Sequence, residues 1–130
     1  MKLLLDTHVW IWSQLAVEKL SPRVKRAFEN EANELWLSPI SVWELMLLVE
    51  KRRLELDRDL GEWVAESAST LKEAPLTMDV VLESERFRLP HDDPADRFLV
   101  ATARTLGLTL VTSDARLLAS KAVATMENRL

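Results

Sequence analysis

The chain has 130 residues and no cysteine, with 48% of its residues hydrophobic and 29% charged. This composition is typical of one globular domain, expected to span residues 1–130, and it excludes disulfide scaffolds, cysteine-ligated zinc and cysteine nucleophiles. The absence of cysteine is compatible with the reducing cytoplasm expected for this protein, and no apolar run is long enough to span a membrane. The net charge of −4 is weak evidence against a nucleic-acid partner.

The first half of the chain alternates short apolar runs with helical segments. Asp6 interrupts the N-terminal apolar run, which therefore indicates a buried strand rather than a signal peptide. Ser followed by Pro is a helix-start signature, because Ser caps the first turn and Pro fits the first helical position. In chain order we predict a strand at Lys2–Asp6, a helix at His8–Leu15, a helix from Ser21-Pro22 to about Asn33, a strand at Leu35–Leu37, and a helix from Ser38-Pro39 to about Arg53.

The second half continues the same alternation. Asp93-Pro94 repeats the helix-start signature, and Gly107 suits the left-handed position after a helix. The predicted elements are a helix from Asp57 to about Lys72, a short strand at Pro75–Met78, a helix from Asp79 to about Phe87, a helix from Asp93 to about Leu106, a strand at Leu108–Val111, a short helix from Asp114, and a final strand at Val123–Met126.

Alternating strands and helices predict an α/β fold in which helices cover both faces of a central, mainly parallel sheet. In such folds ligands bind beyond the carboxyl ends of the strands. Four acidic residues stand at or near these ends: Asp6, Glu44, Asp96 and Asp114. Without them the chain would carry 17 acidic and 17 basic residues, so the whole net charge is assigned to this set.

Each acid also has a purely structural explanation. Asp6 and Asp114 could cap helices, and Asp96 could favour the positive end of a helix dipole. Glu44 lies too far into its helix to cap it, and its neighbours are apolar, although it could lie on a solvated face. Together the four carboxylates predict a site for Mg²⁺ or Mn²⁺, the cations that oxygen ligands select.

Four segments of the chain resemble the PIN domain, and specifically the VapC-type toxin ribonucleases of type II toxin–antitoxin pairs. They are LLLDTHVWIW, SPISVWEL, PHDDPADRFLVATA and LTLVTSDARL, and their order and spacing extend over nearly the whole chain. The resemblance implies a PIN-like α/β/α sandwich and Mg²⁺- or Mn²⁺-dependent cleavage of RNA, with tRNA, rRNA and mRNA all open as targets. The metal-binding and catalytic acids it implies are Asp6, Glu44, Asp96 and Asp114.

The resemblance assigns supporting roles as well. Thr112 would bond to an acid rather than bind metal, and Thr7 would either do the same for Asp6 or simply begin a helix. Asp93 would mainly cap its helix, with water-mediated metal contact as the alternative. Apart from the resemblance, the position of Arg97 beside Asp96 predicts that it contacts phosphate or pairs with a carboxylate. A homodimer and an inhibiting antitoxin protein are the implied partners.

Several other features have ordinary explanations that we favour. His8 and His91 lack zinc-ligand spacing, and His91 is expected to be a loop residue with phosphate contact as the alternative. The basic groups at Arg23–Arg26 and Lys51–Arg53 are expected to be solvated faces, although they could steer RNA. Most of the five Trp residues are expected in the core.

Two other function classes fit the fold. A receiver-type or HAD-type phosphotransfer module also places Asp at strand ends with Mg²⁺, but neither the acidic pair nor the D-x-D motif is present. A non-catalytic binding protein is the remaining alternative, although the chain keeps all four acids.

Overall fold

A computed structural model describes all residues, 1–130. Five strands form one sheet in which every neighbouring pair is parallel, in the order β3-β2-β1-β4-β5. The strands are β1 Lys2–Leu5, β2 Glu34–Leu37, β3 Lys72–Glu73, β4 Thr109–Thr112 and β5 Thr125–Glu127. The parallel α/β architecture predicted from the alternation is confirmed.

Seven helices cover the sheet. They are α1 Thr7–Leu15, α2 Pro22–Glu29, α3 Pro39–Glu50, α4 Leu60–Ser67, α5 Met78–Glu83, α6 Pro94–Leu106 and α7 Ala115–Ala119. Short 3-10 turns follow α1 at Val17–Lys19 and α5 at Ser84–Arg86. None of these helices has the length and the continuous apolar character needed to cross a bilayer.

The core is divided between the two faces of the sheet because successive residues of a strand point in opposite directions. Leu3 and Leu5 of β1 pack with α1 to α4, whereas Leu4 packs with α5 to α7. The same alternation places Val111 of β4 on the first face and Leu110 on the second. The two buried layers make a three-layer α/β/α sandwich.

The predicted helix starts at Ser21, Ser38 and Asp93 are confirmed, since each side chain accepts a hydrogen bond from the first turn of its helix. Gly107 has φ 68° at the end of α6, as predicted. The helices predicted to reach Asn33 and Arg53 are shorter, ending at Glu29 and Glu50.

Two predictions for the middle of the chain were wrong. The helix predicted from Asp57 to Lys72 is only α4, Leu60–Ser67, because Asp59 caps it. The strand predicted at Pro75–Met78 is instead Lys72–Glu73, which pairs with Trp36 and Leu37 of β2. The following residues lead into α5, whose N-cap is Thr77.

Helix α3 ends in a chain reversal that uses Arg52 in the left-handed conformation, with φ 56°. The backbone N–H of Arg52 bonds to the carbonyl of Val49, and that of Arg53 bonds to Leu48 at 2.9 Å. These are the two hydrogen bonds of a Schellman motif, in which Gly is the preferred residue at the left-handed position. The reversal turns Arg53 back towards the end of α3.

Replacing Arg52 with Gly is expected to raise the free energy of unfolding by about 1 kcal/mol relative to Arg52→Ala, because only Gly adopts this conformation without steric cost. Urea unfolding of both variants measures the difference, and Arg52→Ala accounts for the lost charge and side chain. Equal stability of the two variants would show that the left-handed residue costs nothing here.

Candidate active site at the carboxyl edge of the sheet

Asp6 lies where β1 ends and α1 begins, at the carboxyl edge of the sheet. Its backbone N–H bonds to the carbonyl of Val111 in β4 at 3.0 Å, which ties the ends of two neighbouring strands together. Its Oδ1 accepts from the backbone N–H of Thr7 at 2.8 Å, and its Oδ2 accepts from the Thr112 hydroxyl at 2.7 Å. The expected hydrogen bond from Thr112 to an acid is therefore present.

Glu44 projects from the second turn of α3 towards the start of α1. The Thr7 hydroxyl donates to Glu44 Oε1 at 2.5 Å and lies 2.9 Å from the Ser41 hydroxyl. The side-chain hydrogen bond from Thr7 to Asp6, one of two predicted roles, was therefore wrong. Thr7 begins α1 and serves Asp6 through its backbone, while its hydroxyl holds Glu44.

Asp93 and Asp96 stand together at the start of α6. Asp93 caps the helix by accepting from the backbone N–H groups of Ala95 at 3.0 Å and Asp96 at 3.3 Å. Asp96 is buried, with 7% of its surface exposed, and its Oδ2 lies 2.8 Å from Nε2 of His91. The helix cap predicted for Asp93 is confirmed.

The structure places His91 in the candidate site, a position that was not expected from the sequence. Its ring is buried beside Asp96, and its Nδ1 has no hydrogen-bond partner. The available signal was its position five residues before Asp96, in the loop that leads into α6. Its contact is to a carboxylate, so the expectation of an ordinary loop residue was wrong.

Arg97 follows Asp96 but points elsewhere. Its Nη2 donates to the carbonyl of Ser84 at 2.7 Å, and its Nε is buried without a partner. It forms no ion pair with any carboxylate, so that predicted role was wrong. Arg97 instead joins α6 to the turn after α5.

Asp114 caps α7, where Oδ1 accepts from the backbone N–H of Arg116 at 2.8 Å. The Arg116 guanidinium also pairs with both carboxylate oxygens, at 3.2 Å and 2.9 Å. Arg116 was not singled out from the sequence, where only its position two residues after Asp114 pointed to it. It is the one arginine bonded to any of the four acids.

The acids influence one another electrostatically, as expected for carboxylates gathered at one edge. Burial, followed by repulsion from Asp6, Asp93 and Asp96, raises the pKa of Glu44 to about 7 despite the Thr7 hydrogen bond. Burial likewise raises the pKa of Asp96 to about 6, with repulsion from Asp93, Asp6 and Asp114 adding to it. Burial also raises the pKa of Asp6, whereas Arg116 holds the pKa of Asp114 below its usual value.

Two depressions open around this cluster, and His8 borders both. One is lined by Glu44 and Asp93, and the other, of about 290 Å³, is lined by Asp6 and Asp114. His8 is exposed and its ring lies 5.8 Å from that of Trp12. Glu44 and Asp93 are thus reached by solvent from one depression, and Asp6 and Asp114 from the other.

The donor set suits a hard divalent cation, because every candidate ligand atom is a carboxylate oxygen. Burial is the main cause of the raised pKa values in three of the four acids, and repulsion from neighbouring carboxylates adds to it. No group of three or more acidic or histidine side chains is arranged to bind one ion as the side chains stand. Mg²⁺ needs only one or two carboxylates and keeps several waters, so the residues fit the ion.

Comparison with known proteins identifies the family. The PIN domain model matches residues 3–123. The chain is 36% identical over 117 residues to Ribonuclease VapC22 of Mycobacterium tuberculosis, covering 88% of each protein. This similarity leaves the phosphotransfer alternatives without support.

Solved structures show the same fold at low sequence identity. VapBC2 of Rickettsia felis, bound to a promoter DNA fragment, matches with a TM-score of 0.75 and 16% identity, covering 98% of both chains. DNA-bound VapBC of Salmonella typhimurium matches with a TM-score of 0.72 and 19% identity, also covering 98% of both. With its parallel three-layer fold and the match over residues 3–123, this chain belongs to the PIN-domain family, together with the VapC ribonucleases.

Proposed function

We propose that this protein is a divalent-metal-dependent endoribonuclease and the toxin of a toxin–antitoxin pair, with residues 1–130 forming one PIN domain. The observation that carries the proposal is the group of buried, mutually repelling carboxylates at the carboxyl edge of the sheet. The 36% identity to a ribonuclease over most of the chain supports the same activity. Without a bound cation, the repulsion within this group has an electrostatic cost that the helix caps and hydrogen bonds of the acids offset only in part.

In this proposal Asp6, Glu44, Asp96 and Asp114 hold one or two Mg²⁺ or Mn²⁺ ions. A divalent cation supplies Lewis acidity that activates water and offsets charge on the phosphodiester. Arg116 must release Asp114 for that carboxylate to take part directly, since both of its oxygens are now bonded to the guanidinium.

The surrounding residues orient these acids. Thr112 fixes Asp6 through its hydroxyl, and Thr7 fixes Glu44 in the same way. Asp93 caps α6 and so sets the position of Asp96, with a water-mediated contact to the ion as a second role. Mutation of residues that hydrogen-bond to metal ligands typically lowers metal affinity by about 10- to 100-fold.

The partners follow from the relatives. Several structures with this fold are toxin–antitoxin complexes, including one from Klebsiella pneumoniae with a TM-score of 0.69. This supports an antitoxin protein as partner. As further parts of the proposal, the antitoxin blocks the acidic site, and the chain forms a homodimer in the cytoplasm with RNA as substrate.

The test is RNA cleavage by the purified chain across a titration of MnCl₂ or MgCl₂. We expect cleavage with either metal, none in excess EDTA, and recovery when metal is restored. Asp6→Asn protein prepared in parallel should be inactive and controls for contaminating nucleases. Cleavage that persists in EDTA, or equal cleavage by Asp6→Asn, would refute the proposal.

A further inference from the structure

A groove of about 420 Å³ leads away from the acidic cluster along α3. Glu44 and Asp93 lie in its lining near the cluster, and Lys51 and Arg53 line it at the end of the helix. From Glu44 to Lys51 the helix rises by about 10 Å. The groove therefore joins a negative region to a positive one over a short distance, with Trp43 beside Glu44 in the same lining.

Trp43 has an indole ring available for contact. It is 48% exposed, whereas Trp10 and Trp63 are buried and pack edge to face on each other at 5.4 Å. Trp43 makes no contact with another aromatic ring and no hydrogen bond. An indole with about half of its surface exposed and no aromatic or hydrogen-bond partner is suited to stacking on a flat ligand group.

The two cations of the groove are also unpaired. Lys51 and Arg53 are exposed, and neither has an acidic partner within ion-pair distance. Other arginines are paired, including Arg58, Arg104 and Arg116. The chain reversal at Arg52 brings Lys51 and Arg53 to one groove while leaving Arg52 outside its lining.

Taking the proposed function as its premise, we infer that this groove seats the single-stranded RNA next to the scissile phosphate. Trp43 stacks on one base, and Lys51 and Arg53 contact backbone phosphates. The aromatic ring beside the acidic cluster and the cations about 10 Å further along α3 suit a nucleotide chain whose cut phosphate lies at the cluster. Bases in a duplex are already stacked on each other, so the groove selects unpaired RNA.

Binding of a fluorescein-labelled single-stranded RNA, followed by anisotropy in MgCl₂ at several salt concentrations, tests the cations. Asp96→Asn serves as the background so that the RNA stays intact. Adding Lys51→Gln and Arg53→Gln together should reduce the slope of log affinity against log salt by about 1.4, because each phosphate contact contributes about 0.7. Arg52→Gln removes a charge between them, keeps a non-glycine residue at the left-handed position, and should leave the slope unchanged.

The same assay tests the aromatic contact. Trp43→Ala should weaken binding about tenfold, within the range for one base stacked on an aromatic ring. An oligonucleotide made wholly of abasic sites should bind Trp43→Ala and the Asp96→Asn background equally. Met46→Ala, an exposed apolar residue of α3 outside the groove lining, is the matched control and should bind as the background does.

The outcomes separate this inference from the proposed function. If the wild-type chain fails to cleave RNA while binding still depends on Trp43, Lys51 and Arg53, the proposed function is wrong, and the groove is an RNA-binding site without a scissile phosphate. Unchanged salt slope and unchanged affinity in the variants would overturn the assignment, as would an absence of RNA binding by the background protein. The assignment would also be overturned if these variants lost binding to a glutamate-rich peptide while their RNA binding stayed intact. The groove would then be assigned to an acidic protein segment.

Discussion

Asp96→Asn is expected to reduce RNA cleavage by at least about a hundredfold, because it removes a carboxylate from the proposed metal site and leaves its shape unchanged. The same change should stabilise the metal-free protein, since burial already raises the pKa of Asp96 to about 6 and an amide carries no charge to bury. Cleavage assays in MnCl₂ and urea unfolding in EDTA measure the two effects.

Asp79→Asn is the matched control for this prediction. Asp79 also lies in the first turn of a helix, α5, but it is exposed and outside the acidic site. It should change neither cleavage nor the metal response. Lower stability of Asp96→Asn in EDTA would show that the carboxylate stabilises the fold, for example through His91, and would contradict the electrostatic account.

Stability of the metal-free protein should fall as the pH rises from about 4.5 to about 8, by about 2–3 kcal/mol. The pKa values of Glu44 and Asp96, about 7 and about 6, exceed those of unfolded chains, so the folded state binds more protons in this interval. The contribution of these two groups to stability is fully present at pH values below the pKa values of the unfolded chain. It is lost as the pH rises through the pKa values of the folded protein. Solvent that reaches these side chains keeps the loss below that of fully buried acids.

A divalent cation should reverse this loss. At a hundred times its dissociation constant, an ion that binds only the folded state adds about 2.7 kcal/mol. Urea unfolding at about pH 5 and about pH 8, each in EDTA and in MnCl₂, gives the comparison. Asp114 has a lowered pKa, so its contribution is lost only in more acidic solution, outside this interval. A metal effect no larger at pH 8 than at pH 5 would argue against a carboxylate site.

Much of the fold could be predicted because local chemistry determines it. Ser21, Ser38 and Asp93 each precede a proline, and the cap and the restricted proline φ both favour a helix start at that point. Strands β1 and β4 are buried on both faces, which explains the apolar runs Leu3–Leu5 and Leu110–Val111 within the predicted strands.

The edge strand β3 could not be predicted from its residues. Lys72 and Glu73 have neither apolar character nor alternation, and they form a strand only because Trp36 and Leu37 of β2 offer free backbone groups. A strand was predicted at Pro75–Met78 instead because this nearby segment contains apolar residues. Partner backbone from elsewhere in the chain overrides local preference at such an edge.

The positions of the acids followed from topology, whereas their contacts did not. That Asp6 and Asp114 would approach each other could be inferred from parallel strands ending at one edge. Whether His91 or Arg97 would contact Asp96 depends on the path of the loop and on the rotation of α6. One residue step turns a helix by about 100°, which places Arg97 on Ser84 rather than on a carboxylate.

The central place of β1 between β2 and β4 has a consequence for synthesis on the ribosome. Asp6 is made before its partner strand β4 and the Thr112 hydroxyl that orients it, which follow more than a hundred residues later. Pairing so distant in sequence forms late in folding. A growing chain therefore carries Asp6 without the groups that fix its position, and the carboxyl edge of the sheet is completed only after β4 has emerged.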